Sequence, residues 1–117
     1  MIRRRVFIKL KDGLAPERVS DMQAKFLAMP ARIPGIVRCH FGRNESWDHQ
    51  FDFIWEVEFR SRRDLDAYTD HPYHDILRAL FPNPHPAAGP IRTEDDGSKP
   101  TCIVQRFAMV DYTVEDD

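Results

Sequence analysis

The sequence predicts an α+β domain built on one four-stranded antiparallel sheet, with elements in the order βαββαβ. Three observations carry this. Two stretches, "IRRRVFIKL" and "FDFIWEVEF", alternate apolar and polar residues with the period of a strand. Two other segments place apolar residues at spacings of three and four, the period of a helix. The chain has 117 residues, the size of one domain.

In the first strand Ile2, Arg4, Val6, Ile8 and Leu10 share one face, and Arg3, Arg5, Phe7 and Lys9 share the other. Lys11–Asp12–Gly13 supplies the turn. A helix follows over Pro16–Met29, because proline lacks only an N–H that the first turn leaves unpaired anyway. Its stripe is Val19, Met22, Phe26 and Met29, and Pro34–Gly35 ends it. "IVRCHFG" reads as the second strand and "RNESWDHQ" as a polar connection. In the third strand Phe51, Phe53, Trp55, Val57 and Phe59 share a face. Each contributes about 1.5–3 kcal/mol if fully buried.

Ser61 opens the second helical segment as a capping box with Asp64, and Leu65 and Tyr68 follow on one face. Asp70–His71–Pro72 interrupts it. Pro72 restarts a helix whose stripe is Ile76, Leu77, Leu80 and Phe81. Residues 82–100 hold five of the nine prolines and one large aliphatic, Ile91, so they read as an irregular loop inserted in a single domain spanning 1–117. "TCIVQRFAMVDY" is the last strand, and residues 113–117 form a polar tail.

This order is the split βαβ arrangement of ferredoxin-like domains. Helices on one face of the sheet leave the other open. Phe7, Ile36, Ile103, Phe107 and Met109 are expected to supply apolar groups there. A symmetric homodimer, packed sheet to sheet, would cover them.

Composition narrows the partners. The formal net charge is −2, which gives no global reason to bind nucleic acid, and the Arg3–Arg5 run belongs to an alternating strand. No apolar run approaches a membrane span. The basic N-terminus lacks a following apolar leader segment, so a cytoplasmic protein is expected. Cys39 and Cys102 stand in apolar, strand-like contexts and read as buried thiols rather than a disulfide. Cys39 is a poor nucleophile candidate, because its neighbour His40 points to the opposite face of the strand.

The segment "AYTDHPYHDILRALF" concentrates the chemistry. His71 and His74 have three readings. They could ligate a metal, although zinc needs further ligands and none stands at a diagnostic spacing. They could be structural, with His71 capping the restarted helix. They could do acid–base work, since an imidazole in an apolar pocket stays neutral near pH 7 and takes a proton. Tyr68 lies six residues before His74, and the break at 70–72 can let the two approach. Arg4 shares its face with Ile2, Val6 and Ile8. It must either pair with an acidic residue such as Glu56 or Asp111, or bind a ligand carboxylate or enolate through its fork of donors. The aromatics of the third strand, Phe53, Trp55 and Phe59, can be core or ligand platform.

"MIRRRVFIKLKDG", "RIPGI", "FDFIWEVEFRSRRDLDAYTDHPYH" and "VDYT" resemble the stress-responsive alpha-beta barrel (Dabb) family over about residues 2–81 and 104–113. "AYxxHPxH" after an "EFxS" strand end is the most specific part, and the 82–103 segment is longer than the family usually carries. The resemblance implies a ferredoxin-like protomer and a homodimer whose two sheets form an α+β barrel. One plant member of the family is a polyketide cyclase that works without a metal. By that likeness His74 would be the base and Tyr68 its assistant, while Arg4 stands where that enzyme has a pocket histidine. Met22, Phe26, Phe53, Trp55 and Val57 would line the pocket, and His71 is expected to touch the ligand there.

The expected function is therefore binding of a small apolar or aromatic ligand between sheet and helices. His74 and Tyr68 would supply cyclase- or isomerase-type chemistry, Arg4 would hold an anionic group, and no cofactor is expected. The competing expectation is a non-enzymatic, stress-related dimer whose pocket is filled by its own side chains.

Overall fold

The computed structural model describes residues 1–82, 91–93 and 101–114. The elements run β1 (Ile2–Leu10), α1 (Pro16–Leu27), α2 (Met29–Arg32), β2 (Ile36–Arg43), β3 (Phe53–Phe59), α3 (Arg62–Thr69), α4 (Pro72–Arg78), β4 (Ile91–Thr93) and β5 (Val104–Thr113). The sheet is antiparallel in the order β2-β3-β1-β5-β4. The four expected strands form the ferredoxin-like sheet. A fifth, of three residues, adds to its edge by pairing Ile91–Thr93 with Ala108–Arg106. That strand lies inside the segment read as irregular. Three residues are too few to show a period, and the pairing needs only main-chain groups. The rest of the 83–100 segment lies outside the described residues.

The single helix expected over 16–29 is two. α1 stops at Leu27, and α2 starts at Met29 with a proline in its first turn. The stripe still works, because Met22, Phe26 and Met29 are all fully buried. They pack with Val6, Ile8, Val57, Phe59 and Leu65 into one core between helices and sheet.

Register decides which face each strand residue takes. Val6 stands opposite Trp55 and Met109, and Ile8 opposite Phe53 and Phe107. Phe107 and Met109 therefore face the helices, not the open side. Ile36 pairs with Phe59 on that same helix side, and Ile103 is buried. Of the residues expected on the open face, Phe7 stands there, opposite Ile54 and Ala108. Phe51 also departs from its expected face. It lies before β3 and packs on Phe7, ring centroids 5.8 Å apart, while the Asp52 carboxylate turns back to accept from the Leu10 N–H at 2.9 Å.

The open face is a charged ladder. Arg3 donates to Glu58 from Nε (3.0 Å) and Nη2 (2.7 Å), and from Nη1 to the Tyr112 hydroxyl (3.2 Å). Arg5 pairs with Glu56 at 2.7 Å. Glu58 is only 5 % exposed, and a carboxylate that hidden needs the charge-assisted pair Arg3 gives it. Among the described residues no helix is long and apolar enough to cross a membrane.

Gly35 sets the entry to β2. It has φ +90°, and a Cβ there would stand 2.5 Å from Asp64 Cγ, in the capping box of α3. Gly13 also has a positive φ, +74°, but open space around it. Gly13→Ala should therefore cost about 1–2 kcal/mol from backbone strain alone. Gly35→Ala should cost more, since the steric clash adds to the strain. Urea unfolding of both variants checks this, and equal losses would contradict the role given to the Asp64 contact.

Candidate functional site

A cavity of about 470 Å³ lies between the sheet and the helices α3 and α4. Its floor comes from the strands: Arg4 and Val6 of β1, Trp55 of β3, Phe107 and Met109 of β5. Phe26 of α1 and Phe81, just after α4, close one side. Tyr68 and Thr69 of α3 and His74, Leu77 and Arg78 of α4 form the roof. The size lies in the range of pockets that hold small molecules.

The break between α3 and α4 places the polar groups. α3 ends at Thr69, and His71 caps α4 by accepting the Tyr73 N–H on Nδ1 at 3.0 Å. This brings the Tyr68 and His74 rings edge to face, centroids 4.9 Å apart and planes at 87°. An unbroken helix would hold residues six apart on different faces. Tyr68 also packs on Phe59, centroids 5.5 Å apart.

His74 Nδ1 is buried and has no hydrogen-bond partner among the described residues. Leaving such a group unmatched costs about 1–3 kcal/mol. Burial, reinforced by the Arg78 and Arg4 charges, lowers the His74 pKa from its ordinary 6.5, while Asp75 and Asp70 oppose the shift. The ring is thus held neutral at physiological pH. Burial pushes the Tyr68 hydroxyl well above its ordinary range, with Arg4 opposing, so it stays a protonated donor.

Arg4 is paired within the protein. Its Nε donates to Asp111 Oδ1 at 2.8 Å and its Nη2 to Oδ2 at 3.0 Å. The partners are directly opposite across β1 and β5. Of the two acids expected to pair with it, Asp111 does so; Glu56 lies on the other face with Arg5. The pairing and the cavity coexist, because the same guanidinium also lines the wall.

Of the residues nominated from sequence, Arg4, Phe26, Trp55, Tyr68 and His74 line the cavity. Met22, Phe53 and Val57 do not: all three are buried in the core. His71 is used as the cap of α4 and lies outside the lining. Trp55 turns its indole N–H to Cys39 Sγ at 3.3 Å, so it presents an apolar surface. Cys39 and Cys102 are both free thiols, and burial raises the Cys39 pKa. Among the described residues no group of three or more His, Cys, Asp or Glu is placed to hold a metal ion.

Sequence reasoning missed Arg78 and Thr69, and it put Phe107 and Met109 on the wrong face. Arg78 was findable, since it follows His74 by one helical turn and shares its face. The two β5 residues were not, because alternation groups residues on a face without saying which face packs.

A family profile described as the stress responsive A/B barrel domain (Dabb) matches residues 2–83. No curated protein matches the sequence. Among solved structures, a protein of Arabidopsis thaliana aligns over 100 % of this chain and 98 % of its own, at 19 % identity and TM-score 0.74. The hydroxynitrile lyase of Passiflora edulis aligns over 99 % of this chain and 94 % of its own, at 14 % identity and TM-score 0.72. A dimeric ferredoxin-like protein of unknown function from Thermobifida fusca aligns over 97 % and 90 %, at 19 % identity and TM-score 0.68. At these identities the likeness is one of fold.

The lowered His74 pKa has a consequence for stability. The unfolded chain, with an ordinary value of 6.5, takes the proton more readily than the folded one. This contribution is fully present above 6.5 and is lost as pH falls through the depressed folded value. His74→Gln should therefore lose less stability on acidification through that window than the parent. Urea unfolding at a series of pH values reads it, and identical pH slopes would refute the assignment.

Proposed function

The chain belongs to the stress-responsive A/B barrel (Dabb) family, and we propose that its cavity binds a small apolar or aromatic ligand on which His74 acts as base, with Tyr68 as hydrogen-bond donor. The observation that carries this is that His74, whose buried Nδ1 has no hydrogen-bond partner among the described residues, lines an apolar cavity beside Tyr68. A neutral imidazole carries one donor and one acceptor nitrogen, and a base acts through the acceptor. The protonated Tyr68 hydroxyl beside it suits an oxygen that gains negative charge as a proton leaves the adjacent carbon. Together these fit metal-independent carbon-acid chemistry of the cyclase or isomerase kind.

The competing reading, a self-filled pocket in a non-enzymatic dimer, needs Phe26 or Trp55 to occupy this space. Both stand at its boundary instead: their rings meet at a tilt of 39°, centroids 4.7 Å apart, and Trp55 is tied back to Cys39.

The open sheet face supports a homodimer, like those described for the Thermobifida relative. Phe7, Ile54 and the 51 % exposed Val110 lie there among ion pairs whose charges are already matched within the protomer, so a second copy could cover them without stranding a charge. Light scattering at micromolar concentration should give twice the 13.7 kDa chain mass. Val110→Glu should shift the mass toward the monomer, and a monomeric parent would refute the dimer.

The base is tested with benzoylacetone in heavy water. The parent should accelerate exchange of its acidic C–H, and His74→Gln should lower that acceleration by about 100-fold or more. Tyr68→Phe should lower it less. Unchanged exchange in the His74→Gln variant would end the catalytic proposal.

A further inference from the structure

The connection between β2 and β3 carries an unseated aromatic. Trp47 stands in it 89 % exposed, and among the described residues its indole makes no hydrogen bond and no ring contact. The loop around it is fixed. Asn44 Nδ2 donates to the Asp48 and Phe51 carbonyls at 2.7 and 2.8 Å, and Asn44 Oδ1 accepts the Ser46 N–H at 2.9 Å. Asp48 Oδ1 accepts the Gln50 N–H at 3.1 Å, and Arg106 of β5 donates from Nη2 to the Gln50 carbonyl at 2.6 Å. Trp47 is thus presented on a backbone tied to itself and to the sheet.

Beside the loop lies a groove of about 370 Å³ that shares no lining residue with the His74 cavity. Phe7 and Ile54 of the open sheet face, with Phe51, give it apolar walls. Ser46, Asp48 and Gln50 of the loop form a polar rim. Ser46 and Asp48 line the groove and Trp47 between them does not, so the indole turns away from the groove of its own protomer.

We infer that Trp47 of each protomer seats in this groove on a second copy of the chain, so that the two loops exchange their indoles. This rests on the homodimer reading and names the contact that anchors it. A knob and a hole that do not meet within one protomer meet twice under a twofold axis. An indole suits the groove chemically. Its body is apolar, and its single N–H needs an acceptor once buried. The Asp48 carboxylate takes two bonds from Gln50 and has lone pairs left for that N–H. The indole brings no charge, and the Arg3–Glu58 and Arg5–Glu56 pairs on the same sheet face are already matched, so the contact strands none of them. The area also fits. A large aromatic side chain buries about 150–250 Å² when covered. Two exchanged indoles and the grooves they fill therefore supply about half of the roughly 1,600 Å² of a standard interface. Phe7, Ile54 and Val110 extend it across the open face. Because the loop is already ordered, seating the indole loses little conformational entropy.

The test is sedimentation of the whole chain over a dilution series, with tryptophan emission read on the same samples. Trp47→Ala should raise the dimer dissociation constant about 30-fold or more. The Trp47 emission, taken as parent minus Trp47→Phe, should be blue-shifted in the dimer and red-shifted after dilution to monomer. Ile54→Ala should also weaken the dimer. The double variant Trp47→Ala with Ile54→Ala should lose less than the two single losses combined, because both remove one contact. Circular dichroism and thermal unfolding report whether each variant is folded.

An unchanged dissociation constant in Trp47→Ala, or red-shifted Trp47 emission in a dimeric parent, would overturn the inference while the dimer stands. Additive losses in the double variant would put Trp47 in the interface but outside the groove, and so overturn the seating. A parent that is monomeric throughout the series would remove the dimer reading and the inference with it.

Discussion

β1 is hydrogen-bonded along both edges, to β3 on one side and β5 on the other. Because side chains alternate, that one register fixes two surfaces at once. It sends Arg4, Val6 and Ile8 toward the helices and Arg3, Arg5 and Phe7 to the open face. Slipping it by one residue would bring Arg3 and Arg5 into the core and expel Val6 and Ile8. The three consecutive arginines tolerate this position because each finds a carboxylate on a neighbouring strand: Glu58, Asp111 and Glu56. Cross-strand pairing thus both satisfies the charges and marks the register.

The site is a by-product of how the helices sit on that strand. The chain breaks between α3 and α4, and the break uses one histidine of the "HPxH" pair to cap a helix. The other lines the cavity, its buried Nδ1 without a partner among the described residues. Two residues of the same type, three apart, acquire different roles because one supplies a backbone partner at a helix end and the other faces an apolar cavity. The same break places Tyr68 against His74. A continuous helix would have given a better-bonded backbone and no such contact.

The cavity stays open because its aromatic wall is held back. Trp55 is anchored to Cys39, whose thiol in turn donates to the Phe26 carbonyl at 3.3 Å. Phe26, Phe41, Phe81 and Phe107 extend the cluster through ring contacts with centroids 4.8–6.0 Å apart. Such contacts fix ring orientation as well as burying area. The resulting space is apolar with a charged rim, so electrostatics within it are stronger than in water.

The sequence by itself determined the elements, because their periods are local: the alternation of β1 and β3, the stripe of Met22, Phe26 and Met29, the Ser61 cap and the restart at Pro72. It also pointed to Arg4, Phe26, Trp55, Tyr68 and His74, partly through the family's "AYxxHPxH" pattern. Tertiary structure decided what periodicity cannot carry. Strand register set the face of Phe107 and Met109. Tertiary packing left Met22, Phe53 and Val57 in the core outside the cavity lining and brought Arg78 into that lining. The choice of Asp111 over Glu56 for Arg4 followed from which residue stands across the strand on the same face. Each of these depends on distances between residues far apart in sequence, which a single strand or helix does not encode.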